Sequence, residues 1–157
     1  NIDATGYVTG AKTYHGVYND YAELFPRGEE TRPGDIIALD LDSQKERYVK
    51  ATRASRRVVG VHSDEFATLI GGKTPTDGSD LLTANEKDFI PVSLAGRVRT
   101  WVIGPVHTGD LIVPSTTPGV GCTPQACISP AQTQVVGYAV EGDDRTDLRR
   151  IRVRIGG

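Results

Sequence analysis

Two stretches of this chain share one pattern, and it narrows the fold more than any other feature. Gly34-Asp35-Ile36-Ile37 leads to Val58-Val59-Gly60, and Gly109-Asp110-Leu111-Ile112 leads to Val135-Val136-Gly137, with the glycine and first valine 24 and 26 residues apart. Short apolar runs opened by turn residues read as β-strands. The likeness predicts two related β-units, each a strand, a hairpin loop and a returning strand, because two copies are too few for a stacked solenoid. In the first unit Pro33 presets its own backbone angle and Gly34 accepts a positive one, placing a tight turn before Ile36. Tyr48 to Ala51 reads as the returning strand, and Val58 to Val61 as a central one. In the second unit residues 114–130, rich in Pro, Gly, Ser and Thr, are expected to form an irregular, exposed loop.

The rest of the chain agrees with a β fold. Residues 97–103 alternate, with Val98, Thr100 and Val102 on one face and Arg97, Arg99 and Trp101 on the other; residues 149–155 alternate likewise with an arginine-rich face. Ile90 to Leu94 reads as a strand, placed at an edge by Pro91, and Gly96 permits a bend. A short helical turn is expected around Leu81 to Ala84. Residues 2–18, with Tyr7, Val8, Tyr14 and Val17 among glycines, suit a hairpin. The expectation is therefore mainly β: a single compact domain of antiparallel strands over residues 1–157 with short helical turns, 1–18 forming a β lead-in and 19–157 the body.

A length of 157 residues suits one core, and 38% hydrophobic with 24% charged residues excludes the compositions of disordered or collagenous chains. The formal charge of −2 supplies no field for nucleic acid or an anionic membrane surface, so neither is the expected partner. No apolar run reaches the roughly 18 to 20 residues of a membrane span, and no signal-peptide pattern is present. Asn1 is not an initiator methionine, which suggests a cut or trimmed start. Cys122 and Cys127 lack C-x-x-C spacing and a second pair; free thiols are expected in preference to a loop-closing disulfide, and no metal site.

Asn19 to Pro26 concentrates the chemistry. Asp20 and Glu23 are three apart, so a single helical turn would put both on one face beside Tyr21 and Leu24. Burial against Tyr21 and Phe25 would raise the pKa of one, letting one carboxyl donate a proton while the other accepts; alternatively they form the polar face of a short capped helix. Arg53, Arg56 and Arg57 lie at the entrance to the 58–61 strand, either as a solvated turn or as a site for an anion or a neighbouring subunit's carboxylates. Arg97 and Arg99 either stack on Trp101 and meet a partner's carboxylates or form the outer face of an antiparallel strand. Ala67 to Thr74 satisfies a loose phosphate-loop pattern but runs into Pro75 rather than a helix, and is rejected. His15, His62 and His107 share no metal spacing. His62-Ser63-Asp64 has a triad's residue types, but neighbours in a strand cannot relay a proton, so a strand-end turn is expected.

The run Asp20-Tyr21-Ala22-Glu23-Leu24-Phe25 resembles the acidic-aromatic motif of the autoprocessing C-terminal domains of phage tail appendage proteins, the intramolecular chaperone domains of the pre-neck appendage peptidase family. Residues 32–37, 57–61, 90–98, 108–112, 135–138 and 151–155 are similar in the same order and extend the likeness over most of the chain. The resemblance implies a homotrimeric chaperone that holds the chains of an upstream tail spike or fibre in register and then releases itself by autoproteolysis before Asn1. It implies a self-cleaving, carboxylate-dependent endopeptidase with Glu23, Asp20 and Asp3 as candidate catalytic groups. It further implies assembly in the host cytoplasm, with the fibre part on the virion. No cofactor is required by the residues; the resemblance allows ATP. The alternative is a non-enzymatic β-rich structural or carbohydrate-binding module of a virion or cell-surface fibre, in which Trp101 and the tyrosines would stack on sugars.

Overall fold

A computed structural model describes residues 19–130 and 132–156, together with Gly6 and Gly10. The hairpin expected within residues 2–18, and the candidate positions Asn1 and Asp3, lie outside the described residues. The chain is mainly β, and the two related units are visible as equivalent strand triplets. In the first, β2 (Ile36–Leu39) pairs antiparallel with both β3 (Tyr48–Lys50) and β4 (Val58–His62). The second triplet repeats this with β7 (Leu111–Pro114), β8 (Gly121–Cys122) and β9 (Gly137–Ala139). The turns before them match as well. Asp35 Oδ2 accepts the Arg32 N–H at 2.9 Å and Asp110 Oδ2 accepts the His107 N–H at 2.9 Å, each aspartate following a glycine of positive φ. An aspartate that caps its own turn in this way, behind a glycine free of Cβ strain, explains why the same two-residue signal recurs.

Both units hang on β6 (Phe89–Val102), 14 residues long. Its first half pairs with β1 (Asp20–Pro26) and β4; its second half pairs with β10 (Arg149–Ile155) and, in parallel, with β8. Since β10 pairs with β9, β9 with β7 and β7 with β8, the second half of β6 closes a five-stranded barrel. Gly96 marks the change of partners: at φ +114, a Cβ there would stand 2.4 Å from the Asn19 carbonyl oxygen. Two pairings depart from the antiparallel expectation, β1 with β5 (Phe66–Gly71) and β6 with β8, both parallel.

Two apolar clusters pack the fold, and the first joins the barrel strands to one face of β2 and β4. Ile36, Val61, Val98, Val102, Ile112, Ile151 and Val153 belong to one; Ile37, Tyr48, Ile90 and Val92, with Phe25 and Leu39 against them, form the other. β2 is thus buried on both faces, as its unbroken Ile-Ile-Ala-Leu run requires. α1 (Leu81–Asn85) begins where the sequence places a helical turn, capped by Asp80 accepting the Thr83 N–H.

Three expectations are corrected. Pro91 lies in a central strand, not an edge; it has no N–H to offer, but the β4 ladder stops at the His62 and Val92 pair beside it, and its carbonyl still accepts the Ser63 N–H. Residues 114–130 are not wholly exposed, because Val120, Cys122 and Thr123 are buried around β8. Cys122 and Cys127 form a disulfide: α2 (Pro124–Cys127), capped by Thr123, brings their Cα atoms to 6.1 Å, a separation such a bond spans.

Candidate functional site

Within this stretch Asp20–Pro26 is a strand, not a helical turn, since β5 on one side and β6 on the other claim its backbone hydrogen bonds. In a strand, residues three apart point to opposite faces. Asp20, Ala22 and Leu24 are buried while Tyr21 is exposed. Glu23 pairs with Val92 in β6, on the side of the second cluster, and its charge is felt by the buried Tyr48 phenol, which burial and Glu46 push up to about 12. The structure therefore separates the two acids that sequence spacing joins.

Asp20 and Asp35 are both buried, and burial raises the pKa of each, but Asp35 Oδ2 accepts the Arg32 N–H. Asp20 is 5% exposed, and neither carboxylate oxygen has a hydrogen-bond partner among the described residues. Burial raises its pKa; the neighbouring Ser93 and Ser63 hydroxyls pull it back without reaching well-formed hydrogen-bond geometry, and the charges of Glu65 and Asp64 push it further up. Ser93 is fully buried, and its Oγ also lacks a partner among the described residues. Gly60 and Gly96 permit the crowding, because a Cβ on Gly60 would fall 2.0 Å from the Ser93 carbonyl oxygen and one on Gly96 2.8 Å from Asp20 Cα. A carboxyl held this way retains its proton to higher pH than a surface acid and can donate it, then take it back.

Ser63 also borders a cleft beside β4 and α1, with His62 and Asp64. These three residues occupy a strand end and turn as expected, and they do not act as a relay. His62 Nδ1 is 2.9 Å from Thr31 Oγ1, whereas Asp64 accepts from Arg150 at 2.9 and 3.2 Å.

The arginines do not converge on one anion site. Arg53 lines one cleft with Thr116 and Pro130, Arg56 lines another with Asp40 and Lys50, and Arg57 donates to the Arg56 carbonyl. Trp101 is stacked by Arg32, 4.1 Å from its ring centre, rather than by Arg97 or Arg99, and its Nε1 donates to the Pro33 carbonyl. Arg97 donates to Asn19 Oδ1. Across the β6 and β10 ladder Arg97 faces Arg154 and Arg99 faces Arg152, with Glu65 3.8 Å from Arg152. Arg149 breaks the pattern. Its parity places it with Ile151 on the buried face, where it lies 2.6 Å from Asp143 and donates to the carbonyls of Gly104 and Asp147.

Ser93, the Arg32 stack on Trp101 and the Asp64 to Arg150 pair escape sequence reasoning, which read Ser63 only as part of a strand-end turn. Only Ser93 left a signal, as the polar interruption of the Ile-Pro-Val-Ser-Leu strand. No family model matches the chain, and no curated protein matches it.

Proposed function

We propose that the chain is a C-terminal intramolecular chaperone domain of a phage tail spike or fibre, which holds three chains in register and then frees itself by hydrolysing the peptide bond before Asn1, with Asp20 as the proton-transferring carboxyl. The observation that carries the reading is the raised pKa of a buried Asp20, without a partner among the described residues, inside the acidic-aromatic stretch. In this reaction water adds to the scissile carbonyl, the C–N bond breaks and the proton reaches the leaving amine of Asn1. One placed acid or base contributes about 10² to 10⁴ in rate. Glu23 faces away and acts, on this reading, outside the proton transfer.

Cross-strand arginine pairs support the trimer: like charges directly opposite are unfavourable until carboxylates of a neighbouring subunit meet them. Assembly would take place in the host cytoplasm. A disulfide such as Cys122 to Cys127 persists in oxidising surroundings, and on this reading closes after release. The rival reading is a structural module that is never self-cut, favoured by the separation of Asp20 from Glu23. Sugar binding through Trp101 is disfavoured, because Arg32 covers the ring.

Intact-mass analysis of a chain with several dozen upstream residues tests the proposal. Wild type and Glu23→Gln are expected to be cut before Asn1, and Asp20→Asn to stay whole while folded. Identical behaviour of wild type and Asp20→Asn, cut or uncut, makes the structural module the answer.

A further inference from the structure

A guanidinium that leaves water needs an acceptor, because it stays charged and can only donate. Among the buried and half-buried arginines of the described residues, Arg27 donates to Thr31, Arg149 lies against Asp143, Arg150 against Asp64 and Arg152 near Glu65. Arg53 is half-buried as well, yet its side chain meets no hydrogen-bond or ion-pair partner among the described residues, and its Nε is closed off from water. Arg56, Arg99 and Arg154 also lack such a partner, but they are exposed and water serves them. Arg53 is the exception, and a half-buried charged donor without an acceptor calls for one from outside the chain.

Arg53 borders a cleft of about 520 Å³ with Thr52, Ala54, Thr116 and Pro130. The backbone ties its walls together: the Arg53 N–H donates to the Ser115 carbonyl and the Gly119 N–H to the Ala51 carbonyl, both at 2.9 Å. Nε is the only nitrogen of this guanidinium that is both buried and without a partner, so Nη1 and Nη2 remain open to the cleft. Arg53 is the one charge in the lining; the adjoining cleft, which shares Thr52 and Ala54, sets Lys50 and Arg56 against Asp40 and Asp42 and is balanced. A single cation suits a monoanion, and the guanidinium fork matches the two oxygens of a planar carboxylate. A tetrahedral dianion would leave its second charge without a cation, and a neutral amide offers the fork one oxygen. Ala54, Pro130 and the threonine methyls suit a short aliphatic body behind the carboxylate.

We propose that this cleft binds a carboxylate carried on a short aliphatic body, held by Nη1 and Nη2 of Arg53 with the Thr52 and Thr116 hydroxyls as further donors. A free aliphatic acid and an Asp or Glu side chain of another copy present the same group. Binding needs neither Asp20 nor any cleavage, so it stands or falls apart from the self-cleavage reading.

Nitrogen-15 NMR titrations with isobutyrate, isobutyramide and sulfate, each at constant ionic strength, test this. Isobutyrate should shift the Thr52, Arg53, Ala54 and Thr116 amides saturably, with a dissociation constant on the order of 10 mM, within reach of so small a ligand. Isobutyramide and sulfate should bind several-fold more weakly. Arg53→Gln should abolish the saturable shift, and Arg53→Lys, which keeps the charge without the fork, should weaken it several-fold. Both leave the backbone bond to Ser115 in place, so the remaining spectrum should be intact. Thr116→Val, which keeps the side-chain shape, should also weaken isobutyrate. Dilution of the protein alone separates the two sources: cleft resonances that move in wild type and not in Arg53→Gln mark a carboxylate of another copy, and resonances that move only with added acid mark a free one. Cleft resonances unmoved in both experiments, sulfate or isobutyramide binding as tightly as isobutyrate, or Arg53→Gln binding like wild type would each overturn the assignment.

Discussion

Replacing Asp20 by asparagine keeps the side-chain shape and removes a charge from a site that is 5% exposed and, among the described residues, without hydrogen-bond partners for either oxygen. Its pKa is raised above the ordinary 3.8 by burial. Below 3.8 the acid is protonated whether folded or unfolded, and burial of the charge costs nothing. As pH rises, the unfolded chain releases its proton first, so stability falls between the unfolded value and the raised folded one, and the loss is complete above the latter. A buried polar group left unpaired costs about 1–3 kcal/mol, more when charged. Asparagine still needs partners, which the Ser63 and Ser93 hydroxyls can partly provide, so the expected gain at neutral pH is about 1–2 kcal/mol. For a domain of this size each kcal/mol moves Tm by about 2–4 °C, giving a rise of about 2–8 °C. Thermal melts of both proteins from about pH 4 to about pH 8 should show that gap shrinking towards the acid end. A variant that melts lower than wild type at neutral pH, or a gap that ignores pH, would refute the reasoning. Gain of stability together with loss of self-cleavage would mark Asp20 as a site held at the expense of the fold.

Gly60→Ala should lose about 3 kcal/mol or more in urea unfolding, because its Cβ would press on the Ser93 backbone and force β4 from β6. Gly78→Ala, in open space at φ +82, should lose only about 1 kcal/mol. Arg149→Met is expected to cost about 2 kcal/mol in the same assay, short of the roughly 3–5 kcal/mol for breaking a fully buried pair, since Asp143 remains in contact with water. His107, 2.6 Å from Asp144, should titrate above 6.5 by NMR and return towards it in Asp144→Asn. The stabilisation from its protonated form is complete below 6.5 and fades as pH rises through the folded pKa.

Strands whose identity rests on local pattern were legible without a structure. Alternation over 97–102 and 149–155, the apolar run at 36–39, and the repeated glycine-aspartate turns each encode a backbone period or a turn, and these depend on neighbours along the chain. Even the equivalence of the two β-units was present as a repeated spacing. The site was not legible in the same way. Asp20 and Glu23 have helical spacing, and only the flanking β5 and β6 turn that spacing into opposite faces. Pro91 obeys the edge rule for a strand with full ladders on both sides, a condition removed where the β4 ladder ends. Residues 114–130 carry turn residues, which report backbone freedom and not burial, so neither the packing of Val120 nor the Cys122 to Cys127 bond follows from them. Arg149 joins the core because the parity of its strand is set by Ile151 and Val153, whose burial outweighs one guanidinium with a nearby carboxylate. The chain by itself determined its β period, its turns and their repetition. Tertiary structure alone decided which acid is buried and which arginine meets Trp101, because those are set by groups distant in sequence and close in space.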